Sequence, residues 1–188
     1  MTKTRLPGDQ RRAEILAAAG ELFIRHGFEG VSMGMIAEKI GTSRPTIYTY
    51  FHHTEGILQA LLDERLAAIN PDLESLVVPG QPMDFGALFT VLSNHRQLLL
   101  LLSCGGSAEL RERREAFDDA MIGGMAGALG NRRLASDALL PLISGLLRGV
   151  VYETVVRETP TGDPQEVAEQ LNAFLRGGVQ AVNGQQPN

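Results

Sequence analysis

The stretch SMGMIAEKIGTSRPTIYTYF, residues 32–51, decides the fold. Ser32 and Ser43 each precede a short helical pattern, and a serine hydroxyl in that place accepts from backbone N–H groups that a first turn leaves unpaired. Both read as N-caps. Between them Ile36, Ala37 and Ile40 recur at helical spacing, and Gly41 follows the last apolar residue, where a left-handed residue closes a helix at least cost. Pro45 sits just inside the second helix, where its fixed φ suits the first turn. Lacking an N–H, it leaves the Ser43 hydroxyl to bond Thr46. Ile47 and Phe51, four apart, face inward, which leaves Arg44, Thr46, Tyr48, Thr49 and Tyr50 mostly outside. Two short helices around a tight turn, the second with an outer face of phosphate-bonding groups, read as a helix-turn-helix. DNA is the leading partner.

Outward from this stretch the pattern stays helical. A first helix is expected from near Asp9 to His26, with Ile15, Ala18, Ala19, Leu22 and Phe23 as its apolar stripe and Gly27 after its end. After Phe51 the spacing of Ile57, Leu58, Leu61, Leu62 and Leu66 predicts a linking helix that ends before Pro71, and Leu76 to Pro82 reads as a loop. Further helices are expected over Asp84 to about Ser93, Asn94 to Cys104, Ser107 to about Leu129, Leu134 to about Glu158, and Asp163 to Arg176. The last has a cap, a first-turn proline and a glutamate in Asp163-Pro164-Gln165-Glu166. No strand pair is apparent. The helix around Leu139 to Val151 is apolar on more than one side, which implies burial against its own domain and against something else. A helix pair from a second subunit fits. Gly145 and Gly149, four apart, would allow two such helices to approach closely, or simply pack internally.

The 188 residues carry a formal charge of −5, unevenly spread. Residues 1–53 hold seven Lys or Arg against five Asp or Glu, a balance of +2, and residues 54–188 hold ten against seventeen, a balance of −7. A basic contact module on an acidic body suits phosphate contacts, which need locally placed cations. Lys3, Arg5, Arg11 and Arg12 crowd the N-terminus, where a flexible arm could reach an adjacent groove; a solvated tail is the plain alternative. One cysteine, Cys104, rules out an internal disulfide, and no leader pattern opens the chain, so a reducing cytoplasm is expected. The longest apolar run, Leu98 to Leu102, falls far short of the roughly 18 to 20 residues that span a bilayer, so no membrane is expected as a partner.

Ile36-Ala37, Gly41-Thr42-Ser43 and Pro45-Thr46-Ile47-Tyr48-x-Tyr50-Phe51 resemble the tetracycline-repressor (TetR) family of bacterial regulators. The specific match covers roughly residues 11–58. The resemblance implies an all-α homodimer of about nine helices per subunit, with a three-helix DNA-binding domain over 1–54 and a larger ligand-binding and dimerisation domain over 55–188. It implies that Thr42, Ser43, Arg44, Pro45 and Thr46 meet base edges and phosphates of a palindromic operator. Arg44 is the expected base reader, since an arginine donates two parallel bonds to guanine. Tyr48, Tyr50 and Thr49 are expected at phosphates. Two positions depart from the family pattern: Thr54 stands where many relatives have lysine, and Gly34 where many have a polar or basic residue. His52 and His53 read as loop residues.

The resemblance further implies an apolar cavity in the second domain, for which Leu66, Leu101, Cys104, Met121, Met125 and Tyr152 are candidate lining, and a small, moderately lipophilic effector. Helices eight and nine would form the intersubunit bundle, with Leu142, Gly145, Leu146, Gly149, Leu171 and Phe174 as candidate interface residues. Gly123, Gly124, Gly127 and Gly130 predict a soft or broken stretch that would let ligand binding reposition neighbouring helices. The family's usual action is repression. Two rival classes stand beside it. One is an enzyme, against which Glu109, Glu112, Glu115, Asp118 and Asp119 read with Arg111, Arg113 and Arg114 as a solvated helix face, and His95 and Cys104 form no catalytic or metal-binding spacing. No catalytic residue, metal or cofactor is expected. The other is a helical small-molecule-binding dimer of the same fold that does not bind DNA, favoured by Gly34 and Thr54.

Overall fold

The computed structural model describes residues 8–78, 81, 83–104, 108–128, 139–157 and 162–184. All regular structure among them is helical: α1 Gly8–His26, α2 Met33–Lys39, α3 Arg44–Tyr48, α4 Thr54–Ser75, α5 Phe85–Asn94, α6 Arg96–Ser103, α7 Ala108–Ala128, α8 Leu139–Val151 and α9 Pro164–Gly184. A single π-helical turn, Tyr152–Val156, continues α8. Lys3, Arg5, Gly130 and residues 134–138 lie outside the described residues, as does Glu158.

The chain divides into two compact units, one comprising residues 1–67 with 100–111 and the other 68–99 with 112–188, with boundaries inside α4, α6 and α7. In the first, Ile15, Ala19 and Phe23 of α1 are buried with Ile36 of α2, Ile47 of α3 and Ile57, Leu58, Leu61 and Leu62 of α4. The Phe23 and Phe28 rings lie 5.6 Å apart at 42°. Cys104 belongs to this unit: its thiol donates to the Phe23 carbonyl at 3.3 Å and the Leu100 carbonyl at 3.1 Å, and burial raises its pKa. Leu101 and Leu110 complete the core from the 100–111 segment.

In the second unit α5 packs on α9. Asp84 caps α5 by accepting from Ala87 N–H at 2.9 Å, and the Phe85 N–H donates to Asn172 Oδ1 of α9 at 3.1 Å. Gly86 permits this approach, since a Cβ there would fall 2.8 Å from the Ala168 carbonyl oxygen. Phe85, Leu88, Phe89 and Leu92 are buried in this unit with Met121 and Met125 of α7, Leu140, Ile143, Leu147 and Val151 of α8, and Ala168, Leu171 and Leu175 of α9.

Several expected boundaries move. α4 does not end before Pro71 but passes through it to Ser75. Ile69 is fully buried, and Asp72, just past the proline, bonds His95 Nε2 at 2.7 Å, so tertiary contacts hold the last turn despite the bond that proline removes. α7 is not broken at Gly123, Gly124 or Gly127 but stays helical to Ala128. α8 yields to the π turn at Tyr152, closed by Arg157 N–H donating to the Tyr152 carbonyl at 2.9 Å. α9 continues past Arg176 through Gly177 and Gly178 to Gly184. Arg11 and Arg12 belong to α1 rather than to a flexible arm, because the helix already begins at Gly8. No single helix among the described residues is long and apolar enough to cross a membrane.

Candidate nucleic-acid interface

The three N-terminal helices present α3 on a rigid base. Ser32, in an extended conformation, caps α2 by accepting from Met35 N–H at 3.3 Å. α2 ends at Gly41, whose φ of +62° is the left-handed conformation that glycine adopts without strain. There Gly41 N–H donates to the Glu38 carbonyl at 3.0 Å and Thr42 N–H to the Ala37 carbonyl at 2.8 Å, the paired bonds of a Schellman closure. The chain therefore turns sharply into Ser43 and α3. Lys39 pairs with Glu21 of α1 at 2.7 Å, which ties α2 to α1 and lowers the Glu21 pKa through the hydrogen bond first and the charge second.

The Ser43 cap differs from expectation. Its hydroxyl does not bond the Thr46 N–H but shares a 2.9 Å hydrogen bond with the Thr46 hydroxyl, while Thr46 N–H donates to the Ser43 carbonyl at 3.0 Å. With the N–H already taken by the backbone, two hydroxyls pair instead. The Thr49 hydroxyl donates to the Thr46 carbonyl at 2.7 Å, closing the last turn. Ile47 is 0 % exposed and anchors α3 in the core, with Phe51 buried beyond it. On the opposite side Ser43, Arg44, Pro45 and Thr49 are exposed and Tyr48 is 47 % exposed, whereas Thr42, Thr46 and Tyr50 are half-buried. The eight residues expected to meet DNA thus include five exposed ones on α3 and its two caps.

Two cationic or polar groups near α3 have roles that sequence reasoning missed. Arg12 of α1 lays its guanidinium 5.3 Å from the centre of the Phe51 ring, a cation–π contact that places a positive charge beside the end of α3. The helical phase of Asp9 to His26 was the available signal. His53 is more than a loop residue: its Nδ1 accepts from Gly56 N–H at 2.9 Å and caps α4, a role that a histidine just before a helical pattern can fill.

The sequence profile described as "Bacterial regulatory proteins, tetR family" matches residues 15–61, from α1 through the first turns of α4. Over residues 15–61 the chain carries the DNA-binding domain of the TetR family. The activator FasR of Mycolicibacterium smegmatis is 36 % identical over 62 residues, 33 % of this chain and 28 % of that protein. The YfiR regulator of Bacillus subtilis, 41 % identical over 70 residues, is likewise spanned for only 34 % of its length, so these matches rest on about a third of each relative. The repressor AcnR of Corynebacterium diphtheriae is 24 % identical over 183 residues, 95 % of this chain and 94 % of that protein. The crystal structure of a TetR-like regulator from Rhodococcus sp. RHA1 shares the fold, with a TM-score of 0.74 at 20 % identity over 94 % of this chain and 99 % of the other.

Outside the TetR-type domain the other expected site residues fall in different places. Leu66, Leu101 and Cys104 belong to the first compact unit, while Met121, Met125 and Tyr152 belong to the second. Met121 and Met125 are buried one turn apart on α7, but Tyr152 is 51 % exposed on the π turn and is not enclosed lining. Of the expected dimer residues, Leu142 is 67 % and Phe174 68 % exposed, Leu146 is also exposed, and Gly145 and Gly149 have open space around them. Leu171 is the exception: it is buried within its own unit and is not available to a partner. A groove of about 530 Å³ lies between α5 and α9, with Ala87, Phe89, Pro164 and Ala168 as well as Thr90, Ser93 and Asn172 in its lining, so it offers apolar and polar surface together. The buried face of α8 carries the Ser144 hydroxyl without a hydrogen-bond partner. A lone serine in the run Leu139 to Val151 was the signal for it. Among the described residues no group of three or more His, Cys, Asp or Glu is placed to hold a metal.

Proposed function

We propose that this chain is a ligand-responsive transcriptional regulator that binds a palindromic operator as a homodimer. The observation that carries the proposal is α3: one side chain, Ile47, is sunk completely into the core while Ser43, Arg44, Pro45, Tyr48 and Thr49 stand exposed on the other side. Hydroxyls, a phenol and a guanidinium on one short, rigidly held helix supply the donors that phosphates and base edges accept. Arg44 reads a base, and Tyr48, Thr49 and Tyr50 bond the backbone. The family match over residues 15–61 supports this reading, and the named relatives include both an activator and a repressor. The reading adopted is repression, which is the named action of the relative matched along nearly its whole length.

The homodimer is supported by the exposed Leu142, Leu146 and Phe174, large apolar side chains of α8 and α9 that water would otherwise cover. The effector is a small, moderately lipophilic molecule. Buried Met121 and Met125 are adaptable lining for it, and the unpaired Ser144 hydroxyl is a candidate polar contact. A ligand that binds one of two states more tightly shifts the population by that difference in affinity, and so releases or retains DNA.

In vitro selection from random duplexes, followed by salt titration of the winner, tests the proposal. The expected result is a palindrome whose half-sites lie about one DNA turn, roughly 34 Å, apart. Its affinity should drop by on the order of 10³ or more between 50 and 200 mM salt if six or more phosphates are contacted. Enrichment of no duplex would sink the DNA reading and leave the helical binding protein without DNA as the better one.

A further inference from the structure

Gly34 is the second residue of α2, Met33–Lys39, and its φ is not positive, so its backbone conformation does not require glycine. A glycine inside a helix is disfavoured relative to alanine, which makes the residue a local cost without a local reason. The reason lies ten residues on. A Cβ built on Gly34 would stand 2.7 Å from Nε and 2.8 Å from Cζ of Arg44, with Nη2 nearer still. The guanidinium of the first residue of α3 therefore rests against the bare backbone of α2, in the space that any other side chain at position 34 would fill.

We infer that Gly34 is a positioning residue, which seats the Arg44 guanidinium against α2 and thereby sets the base position that Arg44 reads. The inference rests on the DNA reading above and adds what orients its principal side chain. A long, flexible arginine must lose rotamer freedom to form a bidentate bond with a base, and a seat that removes part of that freedom beforehand favours one direction of approach over the others. Because the atoms in the way belong to the far end of a flexible side chain, alanine at position 34 displaces Arg44 and leaves α2 in place. Folding and recognition are separable at this position.

The test uses the full-length chain as wild type, Gly34→Ala, Arg44→Ala and the double variant, each profiled by selection from random duplexes. Gly34→Ala is expected to keep or raise the melting temperature while altering base preference, by roughly tenfold in discrimination, at the half-site position that Arg44→Ala relaxes. Added to Arg44→Ala, it should change nothing further. An unchanged profile for Gly34→Ala overturns the inference, as does a uniform loss over all sequences or a double variant in which the two effects add. A second readout needs no DNA: the Arg44 Nε–H signal in an ¹⁵N NMR spectrum should be ordered in the wild type and motionally averaged in Gly34→Ala. Equal mobility in both proteins overturns the seat. If the wild type enriches no duplex, the DNA reading fails and the specificity claim with it, while an ordered Arg44 signal lost in Gly34→Ala still establishes the seat itself.

Discussion

Glu21 and Asp118 are both carboxylates beside a cation, yet their environments push them in opposite directions. Glu21 is an exposed group whose pKa falls because it accepts a hydrogen bond from Lys39 and feels its charge. Asp118 pairs with Arg148, but burial outweighs the arginine and its pKa rises. The consequences for stability have opposite signs. A lowered folded-state pKa stabilises above the ordinary glutamate value, and that contribution disappears as pH falls through the lowered one. A raised folded-state pKa means that the folded chain holds the proton more tightly, so Asp118 favours folding increasingly as pH falls through its raised value. A carboxyl ¹³C NMR titration should place Glu21 below and Asp118 above the ordinary values, and Lys39→Met should return Glu21 to normal. The Ser144 hydroxyl offers a second check. A buried hydroxyl without a partner is a cost rather than a support, so Ser144→Ala should leave denaturant stability unchanged or raise it by up to about 1 kcal/mol. A loss of more than that would show that the hydroxyl has a partner in solution.

At the scale of single helices, local chemistry and tertiary packing can be told apart. The starts of α2 and α5 and the end of α2 were legible, because Ser32, Asp84 and Gly41 act within three or four residues of themselves. The ends of α4 and α9 were not. Pro71 stops an isolated helix, but Ile69 is buried on one side of it and Asp72 is bonded to His95 on the other. Contacts between residues distant in sequence overrode a local stop signal. The glycines of α7 are a related case: the helix persists through Gly123 and Gly124, and a Cβ at either position would meet nothing within 4 Å. Alanine at each should therefore stabilise the chain by about 0.5 to 1 kcal/mol through helix propensity alone, measured by chemical denaturation. If those glycines also serve as a soft segment, Gly123→Ala with Gly124→Ala will bind effector and fail to release DNA. Unimpaired release would limit their role to stability.

At the scale of the whole molecule, what the fold leaves uncovered matters as much as what it buries. Leu142 and Phe174 expose about two-thirds of their surface on helices whose buried stripes are Leu140, Ile143 and Leu147 in α8 and Ala168, Leu171 and Leu175 in α9. Replacing both with glutamate should leave helical content intact and shift the chain to a monomer in sedimentation equilibrium, with loss of high-affinity binding to a palindrome. A dimer that survives both changes would place the interface elsewhere. The sequence by itself determined the all-helical class, the helix-turn-helix and the polar outer face of α3, because caps, a left-handed turn and a 3.6-residue period are properties of neighbours along the chain. Only the tertiary structure decided that Leu171 is core while Phe174, three residues on, is exposed. It also decided that Met121 and Met125 do not share a compact unit with Cys104, and that Gly34 makes room for Arg44. Each of these depends on which surfaces meet across many residues of chain, and periodicity along one helix carries no record of what lies opposite it.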